Sequence, residues 1–314
     1  MDDQLHVQAS HRLFIKQTTI VAAGIPLLGE AIGQTIGATV SSPITASRMW
    51  DCHTHIYGPW DRFPLPANAA YTPEPAPFSD LLALHQRLGI EHGVLVQAAP
   101  YGTDHSAILA AIAESGGRYR GVGLIDETTT DGQLQDLHDG GLRGIRFNLM
   151  GHLPGARDPQ KLRQLAERVA PFGWHVLVHG ELHTLLPFLD QWKDLKTPLV
   201  IDHMARPDFT KPIDREAFAA LRKHLEHSDH WIKLSGIDRA MQGQPGPWPQ
   251  ALDHVREFLE FAPDRAIWGS DWPHPNIKGA PPDDRQLLDF LQQVCDSQTL
   301  RQAVLVDNPA RLYR

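Results

Sequence analysis

The chain carries 18 histidines among 314 residues, an enriched count, and several of them stand where metal ligands would. His53 and His55 lie two apart in Asp51-Cys52-His53-Thr54-His55, so on extended backbone both imidazoles project to one side. His179 closes the apolar run Trp174-His175-Val176-Leu177-Val178-His179, and His203 closes Leu199-Val200-Ile201-Asp202-His203. Asp271 follows Ile267-Trp268-Gly269-Ser270. Imidazoles joined by a carboxylate suit Zn²⁺, with Mn²⁺ or Fe²⁺ a poorer match. Taken singly, each has a structural reading, as a hydrogen-bonded strand end or, for Asp271, as a helix cap. Their shared position at the ends of apolar runs favours a common centre. Arg146, Arg206 and Arg239 fall just beyond similar runs. A guanidinium grips carboxylate or sulfonate through a two-pronged, charge-assisted fork; ion pairs to Asp202, Asp208 or Asp238 are its competing use.

The elements that must position these residues alternate regularly from Arg48 onward. Strand-like runs are Met49–His53, Gly93–Gln97, Gly121–Ile125, Gly144–Phe147, Trp174–His179, Pro198–Asp202, Trp231–Leu234 and Ala266–Gly269. Helical periodicity fills the intervals at Phe78–Leu88, Ser106–Ser115, Gly132–His138, Pro159–Ala170, Thr184–Trp192, Arg215–His227 and Pro249–Phe261, with Leu287–Val294 and Leu300–Val306 after the last strand. Continuous apolar strands separated by helices imply a parallel sheet covered on both faces. Eight such units predict an α/β fold, a single closed (β/α)8 barrel of the TIM type over residues 48–314. No G-x-G-x-x-G follows the first strand, which disfavours a dinucleotide fold. Active sites of such barrels lie at the C-terminal ends of the strands. His53, His55, His179, His203 and Asp271 therefore converge over one mouth. The proline-rich stretch Tyr57–Pro77, which contains Tyr71, reads as a long loop over that mouth.

Composition sets the outer limits. Lys and Arg total 29 against 37 Asp and Glu, a formal charge of −8, without the clustered basic excess of a nucleic-acid surface. Cys52 and Cys295 are the two cysteines, too few for a disulfide framework or a zinc finger. Residues 1–47 differ from the rest: charge at His11-Arg12 and Lys16, a short apolar run, then a small-residue stretch, the order of an export signal. The run is interrupted by Gly24, Pro26 and Glu30 and falls short of the ~20 apolar residues that span a bilayer. A working signal, twin-arginine-like with His11 in the first arginine's place, implies the periplasm; an inert extension implies the cytoplasm.

The motifs Asp51-Cys52-His53-Thr54-His55, Ile201-Asp202-His203-Met204 and Trp268-Gly269-Ser270-Asp271-Trp272-Pro273-His274-Pro275-Asn276 resemble those of the amidohydrolase superfamily, in the branch called amidohydrolase family 2. Within it the chain looks most like hydrolases of 2-pyrone-4,6-dicarboxylate and 4-sulfomuconolactone. Gly102-Thr103-Asp104, Leu142–Asn148, Arg206-Pro207-Asp208 and Asn308–Tyr313 carry the likeness across nearly the whole chain after Arg48. The resemblance implies hydrolysis of a small anionic lactone in the breakdown of aromatic compounds. The pyrone-dicarboxylate hydrolases, as the resemblance has it, work without metal and carry a tyrosine where His179 stands here. That departure, with Arg146 where a carboxylated lysine would bridge two ions, points to one divalent ion, Zn²⁺ first, on His53, His55, His179 and Asp271. Asp271 would also act as the base, with His203 a further ligand or a partner of the nucleophile. Tyr71, Arg146, Arg206, Arg239 and His274 would bind substrate. His152 replaces an arginine of the pyrone group, which moves the expectation towards a sulfonated or otherwise substituted muconolactone. Two other readings stand: a metal-dependent decarboxylase of the aminocarboxymuconate semialdehyde type, and a non-catalytic barrel that binds anionic solutes.

Overall fold

The computed structural model describes residues 48–151, 153, 155, 158–277 and 279–314; the N-terminal segment 1–47 and His152 lie outside them. Eight parallel strands, β1 (Met49–Thr54), β2 (Ile90–Val96), β3 (Tyr119–Gly123), β4 (Leu142–Asn148), β5 (His175–His179), β6 (Leu199–Ile201), β7 (Trp231–Leu234) and β8 (Ala266–Trp268), pair in sequence order. The helices are α1 (Phe78–Leu88), α2 (Ser106–Glu114), α3 (Asp131–Asp139), α4 (Pro159–Val169), α5 (Leu182–Gln191), α6 (Arg215–His227), α7 (Ile237–Ala240), α8 (Leu252–Phe261), α9 (Asp284–Val294), α10 (Gln298–Gln302) and α11 (Asn308–Leu312). This is the (β/α)8 barrel. Among the described residues no helix is long and apolar enough to cross a membrane.

Local chemistry starts and stops the helices where the periodicity requires. Thr130 and Gln133 form a reciprocal capping box on α3, satisfying two otherwise orphaned amides. Asp158, Asp214 and Asp283 accept backbone N–H bonds at the starts of α4, α6 and α9. Gly89 ends α1 with φ 73°, a left-handed conformation that costs glycine nothing. On α1, Phe78, Leu81, Leu84, His85 and Leu88 are buried, the stripe that faces the barrel. The expected helix over 300–306 is instead α10, one wide turn at Ala303–Asp307, and α11. The single turn α7 was not expected, because four residues are too few to show a period.

Inside the barrel, Trp50, Cys52, Val94, Val122, Leu177, Val200 and Ile267 form one apolar cluster that closes the floor. Between Asp51 and Thr54 the register with β2 shifts: three steps along β1 match two from Gly93 to Leu95. Such an irregularity re-aims side chains, and it lets Cys52 belong to the floor while His53 and His55 reach the mouth. The seam between β1 and the end of β8 is closed by Asp51 and by backbone. Asp51 Oδ1 accepts the amides of His53 and Ser270, each at 3.0 Å, and Asp51 Oδ2 lies 3.4 Å from His85 Nε2. Asp271 N donates to His53 O at 2.8 Å, and His55 N to Trp272 O at 2.8 Å. A Cβ at Gly269 would lie 2.5 Å from His53 Cβ, so only glycine lets the two strands approach here.

Candidate active site

The seam delivers His53, His55 and Asp271 to one place. Asp271 Oδ1 lies 3.3 Å from His55 Nε2, 3.6 Å from His53 Nε2 and 4.0 Å from His203 Nε2. Asp271 adopts φ 67°, and its other oxygen, Oδ2, accepts from Arg239 Nε at 2.6 Å. One oxygen is thus held by a guanidinium while the other faces imidazoles. Burial alone would raise this carboxyl's pKa, but the Arg239 guanidinium holds it well below the usual carboxylate range.

His203 sits on an unusual turn. His203, Met204, Ala205 and Arg206 all have positive φ, 46°, 55°, 63° and 56°, at about 1–2 kcal/mol for each non-glycine residue. The turn swings the His203 ring back over the mouth, where Nδ1 meets Ser235 Oγ at 2.8 Å. Gly236 follows with φ 71°, and a Cβ there would lie 3.0 Å from His203 Nδ1. His179, at the end of β5, packs edge-on to His203 with ring centroids 5.3 Å apart. It does not belong to either compact ligand group. Those groups are His53, His55 and Asp271, and His53, Asp202 and His203.

The hydrogen bonds say which nitrogens are available. His55 Nδ1 lies 2.8 Å from the Val96 carbonyl, His53 Nδ1 3.1 Å from Asp202 Oδ1, and His179 Nδ1 3.3 Å from Asn148 Oδ1. The Val96 and Asn148 oxygens can only accept, so His55 and His179 carry their hydrogens on Nδ1 and leave Nε2 bare, while His53 Nδ1 lies between an acceptor, Asp202 Oδ1, and a cation, Lys233 Nζ. His53 Nε2 and His179 Nε2 are buried without a hydrogen-bond partner, and the lone pair of His55 Nε2 faces a carboxylate oxygen. Bare nitrogens opposed to a carboxylate are the donor set of a divalent cation. Burial lowers His53 to about 3 and holds His179 and His203 well below their ordinary value, so the rings are neutral at neutral pH. Of the two groups, the one built on Asp202 is already served by protein cations. Arg146 Nη2 sits 2.6 Å from Asp202 Oδ2, and Lys233 Nζ 3.2 Å from His53 Nδ1. The group at Asp271 is therefore the better fit for a metal ion.

The expected substrate-binding residues divide. Arg146 is buried against Asp202, and Arg239 is engaged by Asp271 and the Pro275 carbonyl, 2.9 Å away. Arg206, partly exposed, has no ion pair or side-chain hydrogen bond among the described residues, and it lines a cavity of about 660 Å³ with Arg239 and Met204. Tyr71 bonds to Tyr57 across 3.0 Å between their hydroxyls; burial raises both pKa values, leaving protonated phenols. The Tyr57–Pro77 loop is pinned at its base, where Tyr57 and Ala76 exchange backbone bonds of 2.8 and 2.9 Å. His274 is buried, 3.1 Å from Asp284 and 3.6 Å from Asp238. Although burial opposes its charge, these two carboxylates raise it to about 9. It ties the β8 loop to α7 and α9. Sequence reading gave no role to Lys233, Asn148 or Ser235, and Asp202 entered it as an arginine partner and as part of the Ile201–Met204 motif. The residue two after an inward-facing Lys or Arg on a strand was the one usable signal for Ser235 and Asn148.

The solved structure of a probable 2-pyrone-4,6-dicarboxylic acid hydrolase from Acinetobacter baumannii, with citric acid bound, matches with a TM-score of 0.72 at 26% identity, covering 85% of this chain and 99% of that one. The 2-pyrone-4,6-dicarboxylate hydrolase of Comamonas testosteroni is 40% identical over 271 residues, 84% of this chain and 89% of that protein. The 4-sulfomuconolactone hydrolase of Rhizobium radiobacter is 35% identical over 268 residues, again 84% and 89%. The family described as Amidohydrolase matches residues 50–314. With its ligand-type side chains gathered at the strand ends of a (β/α)8 barrel, and with that match over most of its length, this chain belongs to the amidohydrolase family.

Proposed function

We propose that the protein hydrolyses a small anionic lactone formed in the breakdown of aromatic compounds, using one divalent ion, Zn²⁺, held by His53, His55, His179 and Asp271. The observation that carries this reading is the set of bare Nε2 atoms opposed to Asp271 Oδ1 beside the uncommitted Arg206. When bound, the ion supplies polarisation of the lactone carbonyl and a more acidic attacking water. Asp271 Oδ1, kept ionised by Arg239 on the far oxygen, takes a proton from the attacking water. The water oxygen bonds to the acyl carbon, the acyl–oxygen bond of the ring breaks, and the proton is returned to the departing ring oxygen. The product is one ring-opened hydroxy acid. His203 Nε2 faces the same space and orients the water or the carbonyl oxygen. Arg206 and the free edge of Arg239 receive the anionic substituents, and Tyr71 donates its phenolic hydrogen from the loop above. The curated relatives' names and the citrate-bound solved relative support a polyanionic ligand for this reading.

The test is a matched pair, a lactone acid and its methyl ester, given to protein of known metal content. Efficient opening of the acid, poor opening of the ester and loss of activity on chelation are expected. Arg206→Met should raise KM for the acid roughly 10–150-fold, the scale of one charge-assisted hydrogen bond, and change the ester little. Equal efficiency on both lactones would remove the anionic class. Carbon dioxide without ring-opened acid would assign the decarboxylase reading, and an inert metal-loaded protein the solute-binding one.

A further inference from the structure

The cavity of about 660 Å³ lies between the segments that follow β5, β6 and β7 and the helix α6. Its wall nearest the metal group is Arg239, whose Nε holds Asp271 Oδ2 at 2.6 Å, and Met204, which follows His203 in the chain. Leu182, Phe209, Ile213, Phe218 and Leu221 also line it, an apolar surface that packing keeps in place. The Phe218 ring stands edge-on to Phe258 with centroids 4.8 Å apart, and the Phe209 ring stacks on His254 at 5.3 Å. Among the cations described around this cavity, Arg206 is the one without an ion pair. Arg239 is held by Asp271, Lys211 Nζ lies 2.8 Å from Asp208 Oδ2, and His183 Nε2 lies 3.5 Å from Asp214 Oδ2. An unpaired guanidinium beside a buried apolar wall is an anion site with an apolar extension. The rim has the opposite sign: Glu181, Asp208 and Asp214 stand there against Lys211 and His183. A second anionic group carried out to that rim meets like charge.

We propose that this cavity is a subsite for an amphipathic anion, with a carboxylate or sulfonate on Arg206 and an uncharged alkyl or aryl arm along Phe209, Ile213, Phe218 and Leu221. Its volume suits a drug-sized molecule and exceeds what a bare lactone ring with acidic groups fills. Each methylene moved from water onto the wall adds about fourfold in affinity. Phe218 and Leu221 are buried in α6, whereas Ile213 is half-buried where the wall meets solvent. Ile213 therefore decides how far along its length the arm is dehydrated. The acidic rim requires the outer end of the arm to be neutral. Together with the lactone reading above, on which it rests for the reaction and not for the binding, the subsite names the substrate class: lactone acids that carry an alkyl or aryl arm.

Straight-chain carboxylates are the probes, titrated calorimetrically into the full chain. From butanoate through hexanoate to octanoate, binding should tighten about fourfold per methylene. Octanedioate should bind roughly tenfold or more weakly than octanoate, because its second carboxylate meets the acidic rim. Arg206→Met should weaken octanoate roughly 10–150-fold. Ile213→Asp puts a charge on the wall and should flatten the series to under about twofold per methylene; should it fail to fold, Leu182→Asp reads the same wall from α5. No tightening along the series overturns the inference, as does octanedioate binding as tightly as octanoate, or an unaltered slope in the folded wall variant. Lactone acids with and without a hexyl arm then separate the two readings, and the arm should raise kcat/KM in the wild-type protein. Should octanoate bind with the expected slope and neither lactone be opened, the hydrolysis reading fails and the subsite stands. Should the bare lactone acid be opened and the arm bring no gain, the hydrolysis reading stands and the subsite fails.

Discussion

The two ends of the barrel treat the backbone differently. On the floor side, the turns that lead from α1 to β2, α2 to β3, α3 to β4 and α4 to β5 take their left-handed conformations at Gly89, Gly116, Gly117, Gly141 and Gly173. On the mouth side, eight non-glycine residues among those described have positive φ: His203, Met204, Ala205, Arg206, Gln242, Asp271, His274 and Asn276. The floor follows local preference. The mouth overrides it, because a glycine at 203, 206 or 271 would relieve the backbone and remove the ligand or the arginine. Strain of this kind persists only where surrounding contacts over-determine the turn, and here they do. His203 is held by Ser235, Asp271 by Arg239, and His274 by Asp238 and Asp284.

If the floor serves stability and the mouth serves chemistry, substitutions should separate the two. Leu177→Ala, at a fully buried position of the floor cluster, should cost about 2–5 kcal/mol in denaturant melts, with turnover per folded molecule preserved. Asp271→Asn should do the reverse: turnover on the anionic lactone falls at least ~10²-fold while the melt moves little. A melt collapse in Asp271→Asn, or a turnover change under about threefold, would erase the division at its centre.

Smaller effects probe the backbone itself. Gly173 has φ 69° with open space where a Cβ would stand, so Gly173→Ala isolates the conformational term and should destabilise by about 1 kcal/mol. Gln242, exposed with φ 55°, should give the opposite sign, Gln242→Gly gaining up to ~1 kcal/mol. Equal signs at the two positions would mean that the mouth is not strained.

A further test is the pH dependence set by His274. Its pKa is raised from 6.5 to about 9 in the folded protein, so its stabilisation is fully present below about 6.5 and is lost as pH rises through about 9. Melting temperature should therefore decline across that window, and His274→Gln should flatten the decline. A slope that survives in His274→Gln would assign it to another group and return His274 to the substrate.

Much of the frame was legible from residue order. Each of the eight expected strands overlaps an observed one, and β7 matches at both ends, because a parallel barrel strand is a continuous apolar run and helices declare themselves by period and cap. Where the reading failed, the signal was short or local. α7 is one turn, and the wide turn at Ala303–Asp307 breaks a helix whose sequence remains apolar and periodic. In the site, the ligand types at strand ends were visible, as were the three arginines. Which arginine is free was not, since Arg146, Arg206 and Arg239 look alike in sequence and differ only in whether a carboxylate lies within reach.

The sequence by itself determined that the chain alternates strand and helix, that the alternation closes after eight units, and that histidines and one aspartate crown the strands. Those properties are local or periodic, and physical rules connect them to residue type without reference to distant neighbours. Only the tertiary structure decided that Asp51 and Gly269 close the seam and that Asp202 joins Arg146, Lys233 and His53 in one buried group. It also decided which imidazole nitrogens are left bare. Hydrogen-bond roles and charge pairing depend on separations of a few ångströms between residues as far apart as His53 and Lys233. No spacing along the chain encodes such a separation; the packing of the barrel does.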